Sequence, residues 1–402
     1  MHVGKRTAAS RPHLLAGILD LTNAQPVNYI PLEQVSFEWD VIILAWGEWP
    51  TLFNLDPADP EVQGACLYES PSFYMPEHHS PFSVSLPVCP GGVLETDFLA
   101  AITKKIGDGT DVLFHVGGTL TSNRGLLRLT ASSDVDTFVK NIGIVVKKYA
   151  LNGVNINLRD ASCDVSNLDV DFRYPVDAWS LNLISAVKQL RAVQGTDFVL
   201  SVAVDLSFDD AGAILGQASC ITVMHALRDV VSFFVVRPQP SSPGGPLVDL
   251  NGQPQRQGTT DYVVATIDKL LNGASINSSL EILPPFQPEQ LLFLVSASQS
   301  AANDSWVPTE QLTAAYSCIT DVQMCGEYKP RSGPSPAFRG VFADTINLDF
   351  SNHNALASAL SPVIHSEGAA PSGSAPSGSA PTASQTSSVV DLSVPLRLLW
   401  EL

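Results

Sequence analysis

The stretch LNGVNINLRD, residues 151–160, places amide and guanidinium groups at alternate positions of a predicted β-strand. Successive side chains of a strand point to opposite faces, so Asn155, Asn157 and Arg159 share one face, with Asn152 just before them. Amides form hydrogen bonds but do not titrate, and arginine keeps its proton far above neutral pH. This face is therefore predicted to bind polar groups without supplying a general acid.

Other residue types able to do chemistry give weak patterns. Glu77, His78 and His79 are adjacent, but neighbouring histidines in a loop are usually solvated, so no metal site is predicted. No zinc-type Cys/His spacing, phosphate-binding loop, nucleophile elbow or dinucleotide fingerprint occurs. The sequence therefore predicts neither a metal nor a cofactor.

Two pairs of cysteines are candidates for disulfide bonds. Cys318 and Cys325 enclose the short loop SCITDVQMCGE, which a disulfide would close, with free buried thiols as the alternative. Cys66 and Cys89 flank a long irregular segment, and whether they are bonded stays open.

Composition excludes several classes of protein. The chain has 402 residues, 45% of them hydrophobic and 15% charged, which allows a large core. Its net charge of −18 argues against binding nucleic acid or an anionic membrane. No apolar run approaches the roughly 20 residues of a membrane span. Asp20 interrupts the first apolar run, so no clear signal peptide is predicted. The compartment stays open between a component of an assembly or virion and a mature secreted chain.

Short apolar runs alternate with helical patterns between residues 13 and 365. This alternation indicates parallel βαβ units, and eight of them predict a (β/α)8 TIM barrel, with a doubly wound open sheet as the alternative. The long loops 47–93 and 237–259 are expected at the C-terminal face of the barrel. The eight predicted strands are 13–21, 40–46, 111–118, 153–158, 198–204, 231–236, 291–297 and 338–343.

The flanking segments differ in composition from the predicted barrel. Residues 1–12 form an N-terminal extension, and residues 366–388 repeat APSGS, which is typical of a flexible linker. Residues 389–402 then alternate apolar and polar side chains as a strand with one buried face does. We expect this tail to dock on the barrel, on a protein partner or on another copy of the chain, the alternative being a frayed tail. Its apolar positions include Val390, Leu392, Val394, Leu396, Leu398 and Trp400.

Several stretches resemble the family-18 glycoside hydrolases, the chitinases. DVLFHVGG is similar to the family's third-strand signature near SxGG, with His115 in place of the serine and Gly117 and Gly118 retained. LNGQPQRQGTTDYVVATIDKLL, SCITDVQMCGEYKP and FRGVFADTINLDFSN also resemble the family. The resemblance covers nearly all of residues 13–365 and implies the TIM-barrel fold.

The resemblance places LNGVNINLRD on the family's catalytic strand, DGxDxDxE. In active members the glutamate protonates the glycosidic oxygen, while the substrate's own acetamido group attacks the anomeric carbon. Asn152, Asn155 and Asn157 stand at the aspartate positions and Arg159 at the glutamate position. An arginine there has no proton to release near neutral pH.

Other positions implied by the resemblance also differ from the family pattern. The sixth-strand Gln-x-Tyr-Asn corresponds to a segment without a tyrosine hydroxyl, and the eighth-strand tryptophan is replaced by an aspartate. The fifth strand keeps only its carboxylate. We expect Arg159 to pair with one of the two aspartates. These positions of the former active site are Asp205, Val236, Pro238, Gln239 and Asp344.

The sequence therefore predicts a non-catalytic chitinase-like protein, acting as a structural or interaction scaffold, for example within a larger assembly. The alternative is a lectin or decoy that binds chitin oligosaccharides, disfavoured by the loss of the stacking tryptophan. A third hypothesis is an enzyme of different chemistry that uses Asp205, Asp344 and Arg159. A separate aromatic surface for a glycan would come from Trp46, Trp49, Tyr68, Phe73 and Tyr74, which are otherwise loop packing.

Overall fold

A computed structural model gives the architecture of the chain. It divides the chain into two units, Met1–Gly368 and Ala369–Leu402, and the structural description below concerns the first. The structure describes residues 11–21, 29–45, 88–89, 93–117, 127, 129–159, 171–216, 219–242, 244–276, 281–299 and 305–366.

Eight parallel strands form a closed barrel, which confirms the predicted fold and rules out the open sheet. The order around the barrel is β1-β8-β7-β6-β5-β4-β3-β2, so β4 and β8 lie on opposite sides. The strands are β1 (Leu14–Asp20), β2 (Val41–Ala45), β3 (Asp111–Val116), β4 (Gly153–Asn157), β5 (Val199–Ser207), β6 (Phe233–Gln239), β7 (Leu291–Val295) and β8 (Gly340–Ala343).

Helices surround the barrel and connect its strands. Among the described residues they are α1 (Glu95–Asp108), α2 (Ser132–Tyr149), α3 (Ala178–Gln194), α4 (Ile221–Leu227), α5 (Thr260–Asn272), α6 (Thr309–Asp321), α7 (Ile346–Ser351) and α8 (Ala355–Ser366). Short two-stranded pairs join Val88–Cys89 to Val93–Leu94, Leu247–Val248 to Pro254–Gln255, and Ala274–Ser275 to Ile282–Leu283. Within the described ranges, no helix is long and apolar enough to cross a membrane.

Local sequence signals fix where the helices begin and end. Asp177 caps α3 by accepting a hydrogen bond from the Ser180 backbone N–H at 2.7 Å. Gly109 ends α1 in the left-handed conformation, with φ of 101°. Side-chain acceptors at helix starts and glycine at helix ends satisfy backbone groups that the helix itself leaves unpaired.

Two apolar cores hold the barrel together. The inner core fills the barrel with alternate residues of the strands, among them Ile18, Ile43, Leu113, Phe233 and Phe342. The outer core lies between the strands and the helices and contains the other set of alternate residues. The same alternation therefore decides which polar residues point into the barrel, and this positions the candidate site.

Several sequence-based predictions lie outside the described residues. These are the linker, the tail with its six apolar positions, the aromatic residues between Trp46 and Tyr74, the 77–79 cluster, Cys66 and Gly118. The side chain of Cys89 is also outside the description.

Candidate functional site

The polar residues of β4 point into the barrel and are fully buried. Asn155 donates a hydrogen bond from Nδ2 to Ser201 Oγ on β5 at 2.9 Å. His115 of β3 lies in register with Asn155, and both side chains are buried. Asn157 follows two residues later on the same face and is equally buried. A layer of uncharged polar groups thus lies at the upper end of the inner core.

Arg159 lies just beyond β4 and spans the mouth of the barrel. Its Nε and its backbone N–H both donate to Asn157 Oδ1, at 2.9 and 3.2 Å. Its Nη1 donates to Oδ1 of Asp344, just after β8, at 2.7 Å. The Arg159 side chain is 3% exposed and that of Asp344 is 29% exposed. The arginine is therefore held on both sides, and the carboxylate remains open to solvent.

A second arginine–aspartate pair lies at the ends of β5 and β6. Arg237 donates from Nε and Nη2 to the two carboxylate oxygens of Asp205, at 2.6 and 2.7 Å. The two residues are directly opposite each other in the register of the strands. Asp205 therefore pairs with Arg237, whereas Arg159 takes Asp344. The sequence reasoning missed Arg237, although an arginine within the apolar run FFVVRPQ signals a counter-ion nearby.

His115 is an uncharged member of this layer at ordinary pH. Burial, followed by the nearby charge of Arg159, lowers the pKa of His115 from 6.5 to about 4. A neutral imidazole forms hydrogen bonds but does not add positive charge to the mouth. Among the described residues, the charged groups at this end of the barrel include the two arginine–aspartate pairs and the buried Asp20 at the end of β1.

Two glycines allow the backbone geometry around β4. Gly117 has φ of 79°, and an added Cβ would lie 2.7 Å from the carbonyl oxygen of Asn157. At Gly153 an added Cβ would lie 2.0 Å from the carbonyl oxygen of Val199. Both positions therefore require glycine for the close approach of neighbouring strands.

Three of the residues predicted for this site do not point into it. Asn152 lies before β4, at the opposite end of the barrel, where Oδ1 accepts the Val112 N–H at 3.0 Å. Val236 belongs to the outer core, and strand alternation gives Pro238 the same outward side. Gln239, by contrast, ends β6 on the same side as Arg237, half-buried, and its carbonyl accepts the Phe208 N–H at 2.9 Å. The error arose because a motif alignment does not give the pleat of the strand.

The cysteine pattern includes a bond that spacing alone did not reveal. Cys318 and Cys325 form a disulfide at the end of α6. Cys220, just before α4, is also disulfide-bonded. Structural disulfides are typical of oxidising compartments. Among the described residues no group of histidine, cysteine and acidic side chains could hold a metal ion.

The barrel, with polar groups at the C-terminal ends of its strands, has the architecture of a TIM-barrel enzyme site. The chain is 32% identical over 331 residues to a probable class II chitinase of Arthroderma benhamiae, covering 80% of this chain and 91% of that protein. It is 30% identical over 358 residues to exochitinase 1 of Streptomyces olivaceoviridis, covering 86% of this chain and 55% of that protein. The chain belongs to the family-18 glycoside hydrolases, the family of these chitinases. No family model matches the chain.

Solved structures agree with this fold. A family-18 chitinase from Chromobacterium violaceum superposes with a TM-score of 0.66 at 23% identity, covering 90% of this chain and 91% of that one. The C-terminal domain of ChiA from Legionella pneumophila gives 0.60 at 16% identity, with coverages of 87% and 98%. At these identities the likeness supports the fold alone.

The comparisons contradict the expectation of a non-catalytic protein. Four relatives that are 28–32% identical over most of this chain are named as chitinases, which overturns both the scaffold and the lectin or decoy hypotheses. That expectation was wrong because it rested chiefly on the residues of one strand. The neighbouring strands place two further carboxylates, those of Asp205 and Asp344, at the mouth of the same barrel.

Proposed function

We propose that this protein acts on the glycosidic bonds of a chitin-type glycan, a polymer of N-acetylglucosamine, at the C-terminal face of its barrel. The observation that carries this proposal is the 32% identity over 331 residues to a probable class II chitinase. Inward-facing polar residues at that face support it, because an uncharged sugar polymer is recognised chiefly by hydrogen bonds.

The Arg159–Asp344 pair is the part of the site proposed to contact the glycan. Asp344 is partly exposed, whereas Asp205 is held by both carboxylate oxygens and is 10% exposed. A carboxylate can accept hydrogen bonds from sugar hydroxyl or amide groups, and a guanidinium can donate them. Both would orient a sugar across the mouth of the barrel.

Cleavage of a glycosidic bond requires a proton donor, and Arg159 does not supply one near neutral pH. His115 is neutral and lies beneath the arginine, so the proton must come from a carboxyl group or from water. Among the inward carboxylates that the structure describes at the strand ends, Asp344 is the most open to a substrate. We therefore assign Asp344, a carboxylate paired with Arg159, the role of taking a proton from the water that attacks the anomeric carbon, while solvent water protonates the leaving glycosidic oxygen.

The proposal is tested by incubating the full chain with the hexamer of N-acetylglucosamine between pH 4 and 8. Release of new reducing ends is measured, and binding is measured in parallel by calorimetry. The glucose hexamer with the same linkage is the control, because it lacks the acetamido groups. Hydrolysis of the first sugar alone is expected, and failure to cleave it would contradict the proposed activity.

A matched pair of variants tests the assignment of Asp344. Asp344→Asn removes the titratable group and is expected to reduce hydrolysis about 100-fold or more. Asp321→Asn makes the same chemical change at the exposed end of α6 and should leave the rate unchanged. An active Asp344→Asn variant would show that another group takes the proton from the attacking water.

For the C-terminal tail we propose docking of residues 389–402 as a strand, on a protein partner or on another copy of the chain. The alternation of apolar and polar side chains in the sequence supports this proposal. Deleting 389–402 is expected to lower the oligomeric mass in light scattering or to abolish capture of a partner. Replacing Leu396 and Leu398 with Ser keeps the length and should act as the deletion does, and a mass and a partner binding unaffected by both changes would contradict docking.

A further inference from the structure

Four residues from three distant parts of the chain converge at the N-terminal face of the barrel. Asp40, just before β2, accepts Arg11 Nη1 on Oδ1 at 2.6 Å and His365 Nε2 on Oδ2 at 2.9 Å. Its Oδ2 also accepts the backbone N–H of Leu15 in β1 at 2.8 Å. His365 Nδ1 contacts Ser361 Oγ at 3.1 Å. We call Arg11, Asp40, Ser361 and His365 the Asp40 clasp.

The clasp joins the segments with which the barrel begins and ends along the chain. Arg11 precedes β1, and Arg339, just before β8, donates from Nη1 to the Arg11 carbonyl at 2.6 Å. His365 lies in the last turn of α8, which is the last helix of the described residues. One carboxylate thus connects the segment before β1, the start of β2 and the end of α8.

We propose that the Asp40 clasp is a pH-sensitive fastening that holds the end of α8 against the barrel most tightly under mildly acidic conditions. When His365 is protonated, its charge faces the Asp40 carboxylate and also the negative end of the α8 dipole. When it is neutral, Nε2 keeps its hydrogen bond but the charge attraction is lost. Ser361 fits both states, because its hydroxyl donates to a neutral Nδ1 and accepts from a protonated one.

The surroundings of His365 give the direction of the effect. The hydrogen bond that His365 donates to Asp40 is the main cause that raises the pKa of His365, with the Asp40 charge adding to it, while burial and the Arg11 charge lower it. A raised folded-state pKa means that stabilisation is complete below the unfolded value and is lost as the pH rises through the folded value. The helix therefore docks more weakly above neutral pH.

Two other acidic groups form hydrogen bonds with α8, and their effects on this helix must be distinguished from the effect of the clasp. Glu38 accepts a hydrogen bond from Ser358 Oγ at 3.3 Å, about two turns before His365. Asp349 of α7 accepts backbone N–H groups at the opposite end of α8, from Leu356 at 2.7 Å and Ala357 at 3.2 Å. Neither contacts His365, so a change of His365 alone isolates the clasp.

The test measures hydrogen exchange of the α8 amides in the full chain at pH 6.0 and 8.5, corrected for intrinsic exchange rates and compared with α3. His365→Gln can donate to Asp40 at every pH but does not titrate, and the half-exposed site accommodates it. The loss of α8 protection between the two pH values is expected to be about two- to fivefold larger in the wild type than in His365→Gln. Contributions of Asp349 and Glu38 cancel in this comparison.

Two controls keep the result interpretable. His353→Asn removes an exposed histidine with φ of 58°, a conformation that asparagine tolerates, and should lose protection as the wild type does. Ser361→Ala keeps the contact with Asp40 and should retain most of the pH dependence. Equal losses of protection in His365→Gln and the wild type would overturn the proposal, and so would a pH-independent wild type.

Discussion

Arg159 and Asp344 face each other from opposite sides of the barrel, and their Nη1–Oδ1 distance is 2.7 Å. The pair bridges the mouth above a layer of uncharged polar side chains. A bridge between nearly buried and partly exposed partners is asymmetric, because removing either one leaves a different group unpaired. The contribution of this pair to the free energy of unfolding can therefore be measured separately from its role in binding a glycan.

We expect Asp344→Asn to destabilise the fold more than Arg159→Gln does. The first change removes the Asp344 charge from beside a guanidinium that is 3% exposed, while the second leaves a carboxylate that is 29% exposed to water. The free energy of unfolding should fall by about 2–3 kcal/mol in the first case and about 1–2 kcal/mol in the second. Urea titration measures both, and a double-mutant cycle gives the coupling. The reverse order would show that Arg159 is solvated when unpaired.

The Asp205–Arg237 pair is expected to contribute more to stability than exposed pairs do. Both side chains are nearly buried and share two short hydrogen bonds, so Asp205→Asn should cost about 2–4 kcal/mol of unfolding free energy. Arg173→Gln is the control, because Arg173 pairs with Asp171 in an exposed turn and should give no measurable change in the urea midpoint. Similar midpoints for the two variants would contradict a buried, structural pair.

Gly117 and Gly107 form a matched pair for a test of backbone strain. Gly117→Ala forces a positive φ on alanine and brings Cβ to 2.7 Å from a carbonyl oxygen, so a loss of about 1–3 kcal/mol is expected. Gly107 lies in α1, where an added Cβ meets nothing within 4 Å, and Gly107→Ala should stabilise by up to about 1 kcal/mol. The midpoint temperature of thermal unfolding should fall for Gly117→Ala and rise for Gly107→Ala. Shifts in the same direction would refute this explanation.

The sequence was sufficient for the barrel because its signals are long and repeated. Each barrel strand is an apolar run, and six of the eight helices carry a clear period. The exceptions are α4 and α7, which are only 7 and 6 residues long and too short to show periodicity. The short two-stranded pairs were not predicted, because they too are too short to show periodicity.

The candidate site was predicted less well, because it depends on side-chain direction and on partners far along the chain. Strand alternation placed Asn155, Asn157 and Arg159 on the inward face, as the structure has them. It did not decide between two aspartates as the partner of Arg159, since that choice depends on where Arg237 lies. A motif position fixes the strand, whereas the neighbouring strands fix what its side chains contact.

Asp349 gives a pH-dependent stability that is separate from the clasp. Burial, opposed by hydrogen bonds from Leu356 and Ala357 and reinforced by Glu38, raises the pKa of Asp349 from 3.8 to about 6. Because the folded-state pKa is raised, the protonated form is favoured in the fold, and stability present below about pH 4 is lost as the pH rises through 6. The loss is on the order of 2–3 kcal/mol.

Asp349→Asn is the variant that isolates this group, since the amide oxygen still accepts a backbone hydrogen bond and does not ionise. Relative to the wild type, the variant should gain unfolding free energy between pH 4 and pH 7, whatever the other carboxylates contribute. Urea midpoints of the two proteins at half-unit intervals of pH measure the difference directly. A difference that stays constant across this range would mean that Asp349 has the same pKa in the folded and unfolded chains.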